Sequence, residues 1–383
     1  MSETGSVTLA NARVILGGEV VTGAVQIVRG EIVSVDQGSA ISPDAIDCEG
    51  DYVSPSMIEL HTDNLERHLA PRPGVKWPHK VAILAHDAEL AGVGIGTVFD
   101  AIRVGSILSG ERSDYGRYAR DVTREIDALR QENVLRVSHQ LHLRAEICSE
   151  TLTEELAEFS VQDRVGIISL MDHTPGQRQF TDISKLRDYL KGKYGMNEER
   201  FEIHVENLYR IHAEFGADHE AAAVRESRRL GAILASHDDT TDEQVKVSAT
   251  HGVALAEFPT TAEAARSCRS QGISVMMGAP NLLRGGSHSG NVSAGELADK
   301  GLLDILSSDY APSSLLAGAV RLGLESGDMA KGLATVTAAP ARAAALQDRG
   351  KIEPGLRGDV IRFAMVGDVP VLRGNWVRGS RVA

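Results

Sequence analysis

The chain has 383 residues, 42% hydrophobic and 24% charged, the balance of a globular protein with a large core rather than a disordered one. Its 40 basic and 53 acidic side chains give a formal net charge of −13, which argues against nucleic-acid binding, and 4% aromatics argue against base-stacking platforms. No run approaches the ~18 apolar residues of a membrane span, the opening MSETGSVTLANARV shows no secretory pattern, and Cys48, Cys148 and Cys268 form no C-x-x-C pair, so a cytoplasmic protein without a disulfide framework or zinc ribbon is expected.

Residues 7–37 read as short strands, VTLANARVIL, VVTGAVQIV and EIVSVDQG, with glycines at the turns. The tail reads the same way, DVIRFAMV and then VPVLRGNWVRGSRVA. The two ends are expected to pair into one small β domain, residues 1–54 plus 345–383. Between them, apolar runs of 4–8 residues alternate with polar helical stretches, the pattern of repeated βα units. Eight inner strands are expected near Met57–His61, Thr97–Ala101, Val137–Glu146, Val165–His173, Ala232–His237, Val253–Phe258, Val275–Gly278 and Leu303–Asp309. Helices are expected at Lys80–Leu90, Arg117–Arg130 and Glu220–Leu230. Eight such units close into a (β/α)8 TIM-like barrel over residues 55–344, with chemistry on the loops after the strands. The charged stretch near 174–220 reads as a helical insertion or a lid.

Five strands end in metal-ligand residue types: His61 and Asp63 on the first, Glu146 on the third, His173 on the fourth, His237 on the fifth and Asp309 on the eighth. Parallel strands share one C-terminal rim, so these side chains converge although they are distant in sequence. Imidazoles and carboxylates suit a pair of divalent ions such as zinc or manganese. A single histidine after an apolar strand is more often a satisfied structural residue; the argument is the coincidence of five strand ends.

Two loops add positive charge. The stretch 277–291 is glycine-rich, and its backbone with Arg284, Ser287, His288 and Asn291 suits phosphate oxygens, although it matches no Walker or Rossmann pattern and also reads as a flexible turn. Arg67, His68, Arg72, Lys76 and His79 follow the first strand in a loop stiffened by Pro71, Pro73 and Pro78. That loop suits a polyanion, or is a solvated loop with scattered charge. Arg144 and Arg178 flank Glu146 and His173, to bind substrate or to pair with a carboxylate.

Pro55-Ser56-Met57-Ile58-Glu59-Leu60-His61-Thr62-Asp63 resembles the opening of the amidohydrolase superfamily, and Ile352-Glu353-Pro354-Gly355-Leu356-Arg357-Gly358-Asp359-Val360 resembles its return to the β domain. A narrower match runs through Glu59–Glu66 and Pro71–Val75, His142-Leu143-Arg144-Ala145-Glu146, and Leu170–Phe180. It continues through Ala235-Ser236-His237-Asp238-Asp239, Ala256-Glu257-Phe258-Pro259-Thr260-Thr261, Arg284–Asn291 and Leu306-Ser307-Ser308-Asp309-Tyr310. Together these resemble the phosphonate-metabolism (PhnM) subgroup of the carbon–phosphorus lyase pathway.

The resemblance implies an amidohydrolase-type barrel with a small β-sandwich domain from both chain ends. It implies α-D-ribose 1-methylphosphonate 5-triphosphate diphosphatase activity, with His61, Asp63, Glu146, His173, His237 and Asp309 at the metal positions. Asp63 stands where the superfamily usually has a second histidine, Glu146 where a carboxylated lysine often bridges two ions, and Ser56 where a glycine is usual. The first two departures leave metal identity and number open. The superfamily more often uses strands five and six for the histidines counted here on four and five, and where the two differ the motifs outweigh the strand count.

The expected mechanism has two ions with Glu146 bridging, Asp309 as ligand and proton acceptor, and attack on the α-phosphorus with diphosphate leaving. Arg284, His288 and Arg72 or Arg178 match the charge of the phosphate chain, while Ser287 and Asn291 complete the substrate contacts. The runner-up is hydrolysis of a C–N bond, as in a cyclic amide or a deaminase substrate. A non-catalytic subunit of a phosphonate assembly is the reading from another class, disfavoured by the complete ligand set. A homo-oligomer stays open.

Overall fold

The computed structural model describes residues 5–72, 74–109, 117–178, 183–194, 196–287 and 290–383. The N-terminal part supplies β1 (Ser6–Ile15), β2 (Val20–Val28), β3 (Glu31–Gln37), β4 (Ile46–Asp47) and β5 (Tyr52–Pro55). The chain then enters a parallel sheet of β6 (Met57–Thr62), β7 (Ile95–Val104), β8 (Ser138–Glu146), β9 (Val165–Met171), β10 (Ile233–His237), β11 (Leu255–Glu257), β12 (Ser274–Gly278) and β13 (Ile305–Ser307). Neighbours in this sheet are neighbours in sequence, and a parallel bridge between Thr62 and Asp309 brings the first strand against the chain after the last. The result is the expected eight-stranded barrel, with His173 after its fourth strand and His237 on its fifth, as the strand count placed them.

The barrel strands are near-continuous apolar runs because both faces are covered. Ile58, Phe99, Ile167, Ala235, Leu255, Met276 and Ile305 pack into one inner cluster, while Val98, Ile102, Leu141, Leu143 and Ile168 belong to the larger cluster that includes the helices. Side chains alternate along a strand, so the residue two places after an inner apolar one also faces the lumen. That rule carries Leu255 to Glu257 and Ala235 to His237. On β8 it carries His142, in register with Ile167, to Arg144 and Glu146. The apolar floor and the polar rim are one register apart.

Helices α1 (Asn64–Leu69), α2 (His79–Gly92), α3 (Ala119–Gln131) and α4 (Leu152–Leu156) cover the first strands. The stretch expected as an insertion holds α5 (Ile183–Tyr194) and α6 (Glu198–Leu230). The expected helix Glu220–Leu230 is therefore the last third of one 33-residue helix, capped by the Asn197 side chain at its start and by Gly231 in the left-handed conformation at its end. The chain returns as β14 (Val360–Val366), β15 (Val369–Val377) and β16 (Ser380–Arg381), and β14 pairs with β5. The two ends thus share one mostly antiparallel sheet of eight strands. It forms one continuous hydrogen-bonded sheet over a core that joins Leu9, Val14, Val25, Ile27 and Ile32 to Val53, Val360 and Trp376.

One buried polar network lies on the outer wall. Asp100 of β7 accepts from His86 of α2 at 2.9 Å and from His139 of β8 at 2.8 Å, and Asp87 lies 3.3 Å from the other nitrogen of His139. Burial disfavours the charged ring of His139, but the Asp100 carboxylate, with Asp87 behind it, outweighs this and lifts its pKa to about 9. A folded value above the unfolded one, about 6.5, contributes stability that is complete below pH 6.5 and is lost as pH rises through 9. Unfolding free energy measured in urea is expected to fall between pH 6.5 and 9, and His139→Gln is expected to flatten that slope. An unchanged slope in the variant would remove His139 from this account.

Candidate metal centre

The polar rim is built by strand ends that turn inward. Asp238, Phe258 and Asp309 each follow a barrel strand and each take the left-handed conformation, with φ of 58°, 55° and 52°. Their N–H groups or carbonyls extend the ladder one residue beyond the strand: Asp238 N–H donates to Glu257 O at 2.9 Å, Phe258 N–H to Met276 O at 2.9 Å, and Asp63 N–H to Asp309 O at 3.1 Å. Such conformations are unfavourable for non-glycine residues and persist where the surroundings fix them. Here the Thr62 hydroxyl adds a second bond to Asp309 O, at 2.7 Å.

His61, His237 and Glu257 each offer a ligand atom, and these atoms lie within 4.8 Å of one another. All three residues are buried, and among the described residues Glu257 Oε1 accepts no hydrogen bond, with His142 Nε2 3.4 Å away. The rings of His61 and His237 have centroids 5.5 Å apart and share Phe258 as an edge-on neighbour at 5.1 and 5.2 Å. Asp63 Oδ1 lies 3.7 Å from His61 Nε2. An orphaned carboxylate oxygen beside two imidazoles is the donor set a divalent cation takes. The residues present therefore fit such an ion.

Each of three histidines turns Nδ1 toward a carboxylate. His61 faces Glu257 Oε2 at 3.1 Å, His237 faces Asp238 Oδ2 at 2.6 Å, and His173 is in close contact with Glu146 Oε2. An ionised carboxylate only accepts, so the Nδ1 of each ring carries a proton, and in the neutral ring Nε2 keeps its lone pair. Deeper, His142 donates from Nδ1 to Leu60 O at 2.8 Å, and its Nε2 lies 2.9 Å from Ser169 Oγ. Glu59 accepts from the His61 and Ser308 N–H groups at 2.7 and 2.5 Å, and holds the ends of β6 and β13 together.

Charge is crowded here. Burial disfavours protonation of His61, yet the Glu257 and Asp63 carboxylates lift its pKa to about 10. Burial raises Asp309 to about 6, and the Asp63 charge adds to the rise. Burial also opposes the ionised form of Asp63, but the Arg144 guanidinium at 2.5 Å and His61 hold its pKa well below the carboxylate range.

The six sequence-derived ligand candidates all come to this rim, with different partners. Asp63 is paired with Arg144 and Glu146 with His173, whereas His61 and His237 are grouped with Glu257, and the charges acting on Asp309 are those of Asp63, His61, Arg144 and His237. Arg178 donates from Nη1 to His237 O at 2.8 Å and to Asp239 Oδ1 at 2.9 Å. Arg67 and His68, which lie in α1 rather than in the proline-held loop, both bond Glu89, while Arg72 and Lys76 are exposed. Arg284 ends the short helix 279–284 and is exposed, and Ser287 and Asn291 are half-buried. His288, with Pro73, Gln179 and Phe180 of the quoted motifs, lies outside the described residues. The sequence reading did not count Glu257 and Asp238. Glu257 ends an apolar strand, the same signal that singled out the other five, and Asp238 directly follows a counted histidine.

No family model matches the chain. It is 39% identical over 375 residues to alpha-D-ribose 1-methylphosphonate 5-triphosphate diphosphatase of Escherichia coli (strain K12), covering 97% of this chain and 99% of that protein. The chain belongs to that diphosphatase family. Its fold is shared with N-isopropylammelide isopropylaminohydrolase from Burkholderia multivorans ATCC 17616, with a TM-score of 0.64, 14% identity and 98% of each chain covered. It is also shared with 5-methylcytosine deaminase from Klebsiella pneumoniae, with a TM-score of 0.65, 13% identity and 98% of each chain covered. Among the described residues no helix is long and apolar enough to cross a membrane.

The contacts of Arg178 identify it as a strut under His237. Arg178→Met would leave Asp239, 1% exposed, without its cation. The expected cost is about 3 kcal/mol in urea unfolding, with KM for the phosphorylated substrate changed less than about threefold. A raised KM with unchanged stability would make Arg178 a substrate anchor instead.

Proposed function

We propose that this chain hydrolyses the bond between the α- and β-phosphates of α-D-ribose 1-methylphosphonate 5-triphosphate, releasing diphosphate and leaving the 5-phosphate. The observation that carries the reading is near-full-length identity of 39% to the diphosphatase of that name. The buried histidine and carboxylate rim gives the reading its chemistry. We assign the chemistry to the barrel, residues 55–344, and a supporting role to the β domain, residues 1–54 plus 345–383. The cytoplasm is the expected location.

His61, His237 and Asp309, with Asp63 and Glu257 within reach, would hold a divalent cation, zinc or manganese. When bound, such a cation supplies positive charge for the developing phosphoryl oxyanion and acidifies water. The remaining steps belong to side chains. Asp309 takes the proton of the attacking water on a carboxylate oxygen. Its Oδ2 lies 3.7 Å from where a side chain at residue 278 would begin, and Gly278 leaves that space open. The new bond joins water oxygen to the α-phosphorus; the bridging oxygen leaves with the β-phosphate and its electron pair. Arg72, Arg284, Ser287, His288 and Asn291, on the two rim loops, are assigned to the phosphate chain, whose charge must be matched as it departs.

Asp309→Asn is expected to lower kcat by about 10²–10⁴-fold while the unfolding midpoint stays close to that of the parent. The assay follows phosphorus NMR of the triphosphate in a cation-loaded sample. Near-normal turnover in the variant would remove Asp309 from the proton transfer. Single phosphate release would move the cut. No release from the parent protein, with ammonia released from a cyclic amide or amino-heterocycle, would favour the C–N hydrolase.

A further inference from the structure

The two-ion expectation requires carboxylates free to share a second cation. The third and fourth strands do not leave them free. Glu146, which would bridge, is turned to His173: one oxygen meets the ring Nδ1 and the other accepts from the His173 N–H at 3.2 Å. Asp63, on the first strand, gives Oδ1 to Arg144 at 2.5 Å. Arg144 faces the lumen from β8, two residues before Glu146, with its side chain only 13% exposed. Its Nε rests on Met171 Sδ at 3.2 Å, at the end of the next strand. A buried guanidinium therefore already holds the first-strand carboxylate, and Glu146 of the third strand is engaged by His173. A second divalent ion drawn to Asp63 would meet that guanidinium and be repelled by it in a low-dielectric lumen.

We infer that the lumen holds one divalent ion, on the His61–His237 side, and that the Arg144 guanidinium supplies the second positive charge. The Glu257 oxygen that accepts no hydrogen bond belongs to the group with His61 and His237, Glu146 is paired with His173, and Asp63 Oδ1 stands between the two, bound by Arg144 and 3.7 Å from His61 Nε2. A guanidinium is always charged and presents a fixed fork of donors, which suits phosphate oxygens as well as carboxylates. It provides that charge without competing for the ion. The inference rests on the reading that the rim holds a divalent cation and not on which phosphate ester is cut.

The test is metal content by elemental analysis after dialysis against excess zinc and, separately, manganese, followed by removal of loosely held ion. One ion per chain is expected for the parent protein, one for Glu146→Gln, and near none for His237→Asn. Two ions per chain in the parent, or loss of the ion in Glu146→Gln, would overturn the inference. Circular dichroism of each variant separates loss of the ion from loss of the fold. Turnover gives the second arm. Arg144→Met is expected to retain one ion but lose about 10²–10³-fold in kcat, and Arg144→Lys to recover at least tenfold of that by restoring the charge. Arg144→Met with parental kcat would overturn the role of the guanidinium. If the triphosphate is not a substrate, the turnover arm is silent in the parent protein while the ion count still decides.

Discussion

The structure depends on an electrostatic constraint at the open end of the barrel. Asp63, Glu146, Glu257 and Asp309 converge there in a largely buried lumen. Carboxylates withdrawn from water must be paired, protonated or bound to a cation. The protein uses the first remedy for Asp63, through Arg144, and for Glu146, through His173. Glu257 has one oxygen on His61 and one that, among the described residues, accepts no hydrogen bond and lies 3.4 Å from His142 Nε2, and Asp309 is pushed toward its protonated form by burial. The carboxylate oxygen left without a hydrogen bond therefore lies in the group formed by Glu257, His61 and His237. A divalent cation is the simplest group that would satisfy it.

The surroundings fix that geometry before any ligand arrives. Left-handed residues after three barrel strands set the direction of the rim, and the ladder continues through each of them. Glu59 ties the first strand to the eighth from below. Arg178 carries the carbonyl of His237 from the side and is itself held by the buried Asp239. A site whose first contacts are held by packed and hydrogen-bonded neighbours loses little entropy on binding. The polar network of Asp100, His86 and His139 has a different task. It satisfies charged groups between the barrel wall and α2, away from the lumen.

Much of the barrel was legible because buried parallel strands announce themselves as short apolar runs between polar helices. All eight strands lie where that pattern places them. The long helix α6 was read only in part. Its 33 residues contain no proline, but Gly216 and a mostly polar surface weaken the periodic signal over the first two-thirds. The basic residues were legible as charges and not as partners. Arg67, His68, Arg144 and Arg178 each meet a carboxylate from a distant part of the chain: Glu89, Asp63 or Asp239. Those pairings are set by register and helix docking, which a local pattern does not contain.

The same limit governs the ligands. A strand that ends in histidine or carboxylate brings that side chain to the rim of the barrel, where His61, His237 and Glu257 offer ligand atoms within 4.8 Å of one another. The strand ending does not say whether a carboxylate will bind an ion or stand behind an imidazole. Glu146 and Asp309 look alike as strand-end acids, yet Glu146 holds His173 through both the ring and the backbone, while Asp309 is held only through its backbone. The difference arises because Glu146 is the last residue of its strand and lies beside the end of β9, whereas Asp309 lies two residues beyond β13 in a left-handed turn. One position sets a carboxylate against the next strand's histidine, and the other sets it beside Gly278, with Asp63, His61, Arg144 and His237 as its charged neighbours. Arg144 follows from the same register. Two residues before Glu146 on the inward face, it is placed to answer Asp63 across the barrel. A rim arranged this way carries one fixed positive charge in the chain itself, the Arg144 guanidinium on Asp63.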